Sequence, residues 1–260
     1  MNQYETVKVD YQNFVATVTL NRPEALNAFN TALRRELLAA VEEVNADQNI
    51  RVAILAGEGR AFSAGADLTE KLGPDMSVED QLNNEYKPIL MAIANAPQPW
   101  ISAVNGAAAG IGSAFAMNCD LTVMAEDAYL YQAFAAIGLI PDGGATWHLA
   151  RTLGRKRAYE MMVSGEKVCA QKCLELGLCN RVVPAGDLGK EAAAWAEDLA
   201  GKSPLSLRYT KQAVNEAMSH SAEQSISNEA VLQQHCIGSE DAKEGVIAFM
   251  QKRAPQWKGR

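Results

Sequence analysis

The chain has 260 residues, of which 48% are hydrophobic and 21% charged, and carries a formal net charge of −7. This is the composition of a globular protein with enough length for one large core. The acidic balance weighs against a nucleic-acid-binding surface or a face for anionic membranes, yet leaves an anionic ligand open, since a few local cations can hold one phosphate.

The first residues, Met-Asn-Gln-Tyr-Glu-Thr, lack a basic region and an apolar run, so no secretory signal is expected. Thr6 to Asp10 and Val15 to Leu20 read as a hairpin. Thr31 to Ala46 reads as a helix with Leu33, Leu37, Val41 and Val44 on one side and Thr31 as N-cap. Val52 to Ala56 is a buried strand. Glu70, Asp75, Glu79 and Asp80 belong to a polar stretch around Gly73-Pro74, expected to be mobile, before a helix from about Val78 to Ala94. Trp100 to Val104, Leu121 to Ala125 and Tyr129 to Tyr131 read as short strands. No charged side chain occurs from Pro88 through Cys119, but prolines, an Asn-Gly pair and small residues point to a buried strand and helix rather than a bilayer span.

From Ala145 onward the chain reads as mostly helical, with a strand near Arg181 to Val183. Leu207, Val214 and Met218 stripe one helix, and Ala222 to Ile237 and Glu240 to Arg253 form two more. The whole reads as an α/β core with a helical tail and no polar linker. The five cysteines (Cys119, Cys169, Cys173, Cys179, Cys236) are odd in number and lack Cys-x-x-Cys spacing, which fits reduced thiols in the cytoplasm. His148, His220 and His235 form no metal-ligand pattern, and no metal site is expected.

Two stretches carry the chemistry. Val104 to Asp120 is a strand end, a turn at Asn105-Gly106 and a helix of small residues; Phe62 to Leu68 is a second Gly/Ala turn after an apolar strand. Small side chains admit a ligand close to the backbone, and a helix start presents unpaired N–H groups. Two such turns could give two donors to one oxyanion. Tight packing of helix on sheet wants the same residues, so composition alone fits both readings. No Gly-x-Gly-x-x-Gly occurs, no Walker lysine follows either cluster, and neither Ser63 nor Ser113 lies in a Gly-x-Ser-x-Gly frame.

Five segments in order resemble the crotonase (enoyl-CoA hydratase/isomerase) family. They are Asn21 to Ala28, Ala61 to Leu68, Val104 to Asp120, Gly138 to Gly144, and Glu244 to Phe249 with Lys252-Arg253. The resemblance implies an α/β spiral of repeated strand–strand–helix units over residues 1–200 and a helical extension over 201–260 that builds trimers or hexamers. It implies acyl-CoA thioesters as substrates and no separate cofactor. It puts the oxyanion-hole amides on Ala66 and Ile111, and substrate contacts at Ala25, Leu26, Ala28, Ala64, Asp67, Leu68, Phe134, Phe249 and Lys252. Ile111 replaces the glycine common there; its N–H remains, while its β-branched side chain narrows the backbone.

Hydratases of the family use two glutamates, and this chain has Ala114 and Phe134 at those positions. Asp142, in Ile140-Pro141-Asp142-Gly143-Gly144, matches the single carboxylate of some family isomerases. The surrounding string looks most like ring-epoxide and Δ3,Δ2-enoyl-CoA isomerases of phenylacetate-type catabolism. One carboxylate suits a 1,3-proton shift, in which no water is activated. Phe134, Ile137, Leu139, Ile140 and Trp147 are expected to surround Asp142 and raise its pKa. Pro-Asp-Gly is equally a turn or helix-cap signature. Asp67 is expected to cap backbone amides and Asp120 to pair locally. A hydratase with atypical acid–base residues and a non-catalytic acyl-CoA binder are the competing readings.

Overall fold

A computed structural model describes residues 4–73 and 76–260. Met1 to Gln3 of the N-terminal reading, and Pro74 and Asp75 of the polar loop, lie outside the described residues.

The elements run β1 (Val7–Gln12), β2 (Val15–Leu20), α1 (Thr31–Ala46), β3 (Val52–Gly57), β4 (Ala61–Ser63), α2 (Val78–Gln81) and α3 (Lys87–Ala94). There follow β5 (Trp100–Val104), β6 (Ala107–Ala109), α4 (Ile111–Asn118), β7 (Leu121–Ala125), β8 (Tyr129–Tyr131) and α5 (Ala145–Ser164). The chain closes with β9 (Lys167–Cys169), α6 (Ala170–Glu175), β10 (Arg181–Val183), α7 (Leu188–Ala200), α8 (Pro204–Ala217), α9 (Ala222–Ile237) and α10 (Glu240–Gln251). A π-helical turn at Leu82–Tyr86 joins α2 to α3.

One sheet has the order β1-β2-β3-β5-β7-β10 and the other β4-β6-β8-β9. Each of three successive units gives one strand to the larger sheet, the next to the smaller, and then a helix. This is the expected spiral. The β3, β5 and β7 strands pair in parallel, and β5 is buried at every residue, as a strand covered on both faces must be. Leu33, Leu37, Val41 and Val44 all point α1 into the core. Phe29 stacks on Phe115 at 4.6 Å and meets Tyr86 edge-on at 5.9 Å, so the α1 entry, the π-helical turn and α4 share one aromatic contact.

Several expectations need correction. The N-cap of α1 is Asn30, whose side chain accepts from Leu33 N, because Thr31 spends its amide and hydroxyl on Glu70 at 2.6 and 2.7 Å. Ala107–Ala109 is a strand, not the first turn of the small-residue helix: it pairs with β4 and β8, and α4 opens only at Ile111. Ala61–Ser63 and Lys167–Cys169 are short strands that three-residue patterns do not reveal. Glu70 and Asp80, expected in a mobile stretch, are tied down, Glu70 by Arg34 at 2.8 Å and Asp80 in a capping box with Ser77.

Asp120 does not pair locally. It accepts from Lys211 Nζ of α8 at 2.8 Å and from Trp100 N at 2.7 Å. Lys211 is buried and also donates to Ile93 O and Gln98 O. Removing either charge of such a pair strands the other and typically costs about 3–5 kcal/mol, so this contact pins α8 to the core. The α9 and α10 helices leave Ile226, Val231, Val246, Ile247, Phe249 and Met250 exposed. Among the described residues, no helix is long and apolar enough to cross a membrane.

Candidate active site

The first turn follows β4. Phe29 N donates to Gly65 O at 2.8 Å, and Asp67 N donates to Phe29 O at 3.1 Å. Phe29 thus pairs in parallel with Ala66 through the residues on either side of it. In such a pairing the middle residue's own N–H faces away from its partner. The Ala66 amide is therefore turned out of the ladder. Gly65 sits at φ +99°, and a Cβ there would lie 2.9 Å from Ala109 O and 3.6 Å from Gly110 Cα, so the second turn lies against the first.

The second turn is Gly110, at φ 52° and ψ −132°, a conformation that side-chain-bearing residues avoid. Ile111 then opens α4, so its N–H has no acceptor within the helix. Gly110 O accepts from Ser113 N at 3.0 Å and from Ser113 Oγ at 2.7 Å. The Ile111 N–H belongs to the same planar peptide and points the opposite way. The Ile111 side chain is buried beneath the turn and leaves the amide in place.

Asp142 lies in the loop before α5. A Cβ on the next residue, Gly143, would meet Ile111 Cγ1 at 2.7 Å and Ala114 Cβ at 2.9 Å. The loop therefore presses on the second turn and covers Ala114. The Asp142 side chain does not cap α5, whose N-cap position is Gly144 with no side-chain bond. Its Oδ1 is buried with no hydrogen-bond partner among the described residues. Burial pushes the carboxyl up to about 6, opposed only by its own backbone amide.

Asp142 opens on a cavity of about 1080 Å³, lined nearby by Leu82, Tyr86, Leu90, Trp147 and His148. The expected surround is right for Trp147 but not for Ile137, Leu139 and Ile140, which are 55%, 55% and 80% exposed. The π-helical turn and α3 supply the apolar wall instead, through Leu82, Tyr86 and Leu90. Phe134 is buried and stands 3.8 Å from the Cβ position of Gly110, beside the two turns. Leu207, Val214 and Met218, read as a core stripe, line the far part of the cavity. His148 is held neutral, its pKa lowered to about 4 by burial and then by Arg151. Burial likewise pushes the Tyr86 hydroxyl up to about 12.

The residues matched to CoA contacts from the N-terminal segments do come together. Ala28 N donates to Ala25 O, and Ala64 N donates to Leu26 O at 2.9 Å, which lays the Pro23–Ala25 turn along the first Gly/Ala turn. Leu26 and Asn27 both have positive φ, at 51° and 55°. Buried Asn27 holds this shape by donating to Glu58 O and Ala61 O and accepting from Arg22 N. Asp67 accepts from the Thr69 amide, as an amide-capping acid should, and also from the Thr69 hydroxyl and Arg22 Nη1 at 3.0 Å; these contacts lower its pKa, Thr69 first. Leu68 is 77% exposed. Phe249, 86% exposed on α10, and Lys252, its left-handed cap, do not line the cavity.

Sequence patterns did not single out Asn27, Tyr86, Gln132 or His148 for the site. Gln132 donates to Ser113 Oγ at 2.7 Å across 19 positions, and no local motif announces such a contact. Among the described residues no group of three or more His, Cys, Asp or Glu could hold a metal, and all five cysteines are free.

The family model described as enoyl-CoA hydratase/isomerase matches residues 10–260. A probable enoyl-CoA hydratase of Rhodobacter capsulatus is 38% identical over 257 residues, covering 99% of each chain. The 1,2-epoxyphenylacetyl-CoA isomerase of Escherichia coli is 37% identical over 250 residues, covering 95% of each. Among solved structures, the enoyl-CoA hydratase of Bacillus anthracis superposes with a TM-score of 0.91 at 33% identity, over 98% of this chain and 100% of that one.

Proposed function

The chain belongs to the enoyl-CoA hydratase/isomerase family, and from there we propose that it isomerises acyl-CoA thioesters with Asp142 as the one acid–base group. The observation that carries this reading is the half-buried Asp142 carboxyl, whose Oδ1 has no hydrogen-bond partner among the described residues, on a loop pressed against the second turn.

In this reading the thioester oxygen accepts from Ala66 N–H and Ile111 N–H. Removing one such donor typically costs about 100- to 1,000-fold in rate. With a 3-enoyl-CoA, the Asp142 carboxylate takes a proton from C2. The C2–H electron pair enters a dienolate whose charge rests on the oxygen between the two amides. Protonated Asp142 then delivers the proton to C4, and the double bond moves from C3–C4 to C2–C3. A carboxyl lifted to about 6 is a stronger base than an ordinary aspartate and still ionised at neutral pH. Ala114, covered by Gly143, offers no carboxylate at its position to activate water, which supports isomerisation over hydration.

The backbone at Ala25, Leu26, Ala28 and Ala64 holds the CoA moiety, with Asp67 and Leu68 at the edge of the turn and Phe134 beside the thioester. Phe249 and Lys252, which do not line the cavity of their own chain, reach CoA from the α10 of a neighbouring copy. The exposed apolar faces of α9 and α10 support self-association as a trimer or hexamer. No cofactor is needed beyond the CoA of the substrate, and the site of action is the cytoplasm.

A hydratase is the second reading, favoured by the neutral His148 in the same cavity. Product analysis on 3-enoyl-, 2-enoyl- and ring-epoxide-type acyl-CoA thioesters in D2O separates the two. Isomerisation predicts a 2-enoyl-CoA from the 3-enoyl-CoA, with deuterium uptake dependent on Asp142. Efficient 3-hydroxyacyl-CoA formation from the 2-enoyl-CoA would overturn it in favour of hydration.

A further inference from the structure

Behind the second turn lies a chain of three groups. Gln132 Nε2 donates to Ser113 Oγ at 2.7 Å, and Ser113 Oγ donates to Gly110 O at 2.7 Å. Both side chains are fully buried. The direction of the chain follows from proton counting. Two oxygens at 2.7 Å need a proton between them, and Gly110 O has none, so the Ser113 hydroxyl hydrogen is committed to Gly110. Gln132 must then present its NH2 to the serine lone pair, and the hydroxyl cannot rotate away.

We infer that Gln132 and Ser113 are positioning residues that aim the Ile111 amide. The inference rests on the oxyanion role proposed for that amide. The Gly110 C=O and the Ile111 N–H are opposite ends of one rigid peptide plane, so fixing the carbonyl fixes the donor. The need is physical. Gly110, at φ 52° and ψ −132°, is held by its N–H on Tyr131 O but lacks the side chain that restricts ψ in other residues, so the peptide that follows it depends on its hydrogen bonds for its direction. The Ser113 backbone amide also bonds Gly110 O at 3.0 Å, an ordinary N–H···O length, so the hydroxyl is a second anchor that fixes the carbonyl's direction as well as its distance.

The cost of Gln132 points the same way. Its Oε1 is buried without a partner among the described residues, a penalty that an apolar side chain of similar length would avoid. The first turn has no such device: Gly65 O, on the peptide that carries the Ala66 N–H, is bonded by the Phe29 main chain. The relay thus serves the one donor that the backbone ladder does not hold.

The test uses the full-length protein with Ser113→Ala, Gln132→Leu and the double variant. Two quantities are read: kcat and KM for 3-hexenoyl-CoA, and the infrared carbonyl band of bound butanoyl-CoA labelled with 13C at C1. Binding to the wild type should move the band to lower wavenumber. Each single variant should lose at least half of that shift and about 10- to 100-fold in kcat, with KM within about 3-fold. The double variant should lose no more than the worse single, because both break one chain. Should Gln132→Leu not fold, Ser113→Ala carries the test, since it removes one oxygen from a helix. Variants that keep the full band shift, whether or not they lose thermal stability, overturn the relay. A wild-type band that no thioester moves overturns the oxyanion reading and the relay with it.

Discussion

The two Gly/Ala turns hold their amides by different means. At Gly65-Ala66 the peptide is a rung of main-chain pairing: Phe29 bonds the residues on both sides of Ala66, and a buried serine, Ser63, bridges Gly65 N and Asn27 O. At Gly110-Ile111 the peptide hangs between a strand end and a helix start, and one main-chain bond from Ser113 is joined by the Ser113 and Gln132 side chains in securing it. A donor built into a ladder survives most substitutions around it. A donor at a helix start depends on a few named residues and on the loop pressed against it, and that loop carries Asp142.

The largest effect expected is at Asp142, which serves both turns. Asp142→Asn should lower isomerisation by about 1,000-fold or more while leaving acyl-CoA affinity within a few-fold, read by steady-state kinetics and calorimetry. Full deuterium exchange by this variant would remove the base from the account. Next, Gly110→Ala should cost about 100-fold in kcat, because the positive φ penalises a Cβ and relaxation turns the Ile111 peptide. Wild-type turnover would show that the second peptide needs no special geometry.

The pH dependence gives a smaller effect with a defined sign. The folded Asp142 carboxyl lies near 6, above an unfolded value near 3.9, so the folded state binds the extra proton between them. Its contribution to stability therefore falls as pH rises from about 4 to about 6. Asp142→Asn removes that cost and should be more stable than wild type at pH 8, by up to about 3 kcal/mol, with the gap closing below about pH 4 in denaturant titrations. The same ionisation should make kcat/KM rise through about pH 6 and then level. The smallest catalytic effect belongs to the first turn. Ser63→Ala should lose about 1–3 kcal/mol of stability with kcat within about 3-fold, since the Phe29 ladder remains. A large kcat loss there would erase the contrast between the turns.

The contrast also governs how much could be read from the chain. Long periodic segments such as α1 and the apolar strands β3, β5 and β7 are legible because burial imposes their pattern over many residues. The segments around Ala66, Ile111 and Asp142 were legible through small residues and a resemblance spread over five segments. The three-residue strands β4, β6 and β9 were not, because pairing with distant partners, not local propensity, makes them strands. For the same reason Asp120 finds Lys211 rather than a near neighbour, and the wall facing Asp142 comes from the π-helical turn and α3 instead of Ile137, Leu139 and Ile140. Gln132 stayed hidden because its meaning exists only once β8 lies beside β6 and α4.

The most direct measurement is a crystal structure of the protein with a non-reacting acyl-CoA bound. The account predicts the thioester oxygen within about 3.2 Å of both Ala66 N and Ile111 N, and the Asp142 carboxylate against the adjacent acyl carbons. A thioester oxygen bound elsewhere, or an Asp142 side chain turned to solvent beside a bound ligand, would contradict it.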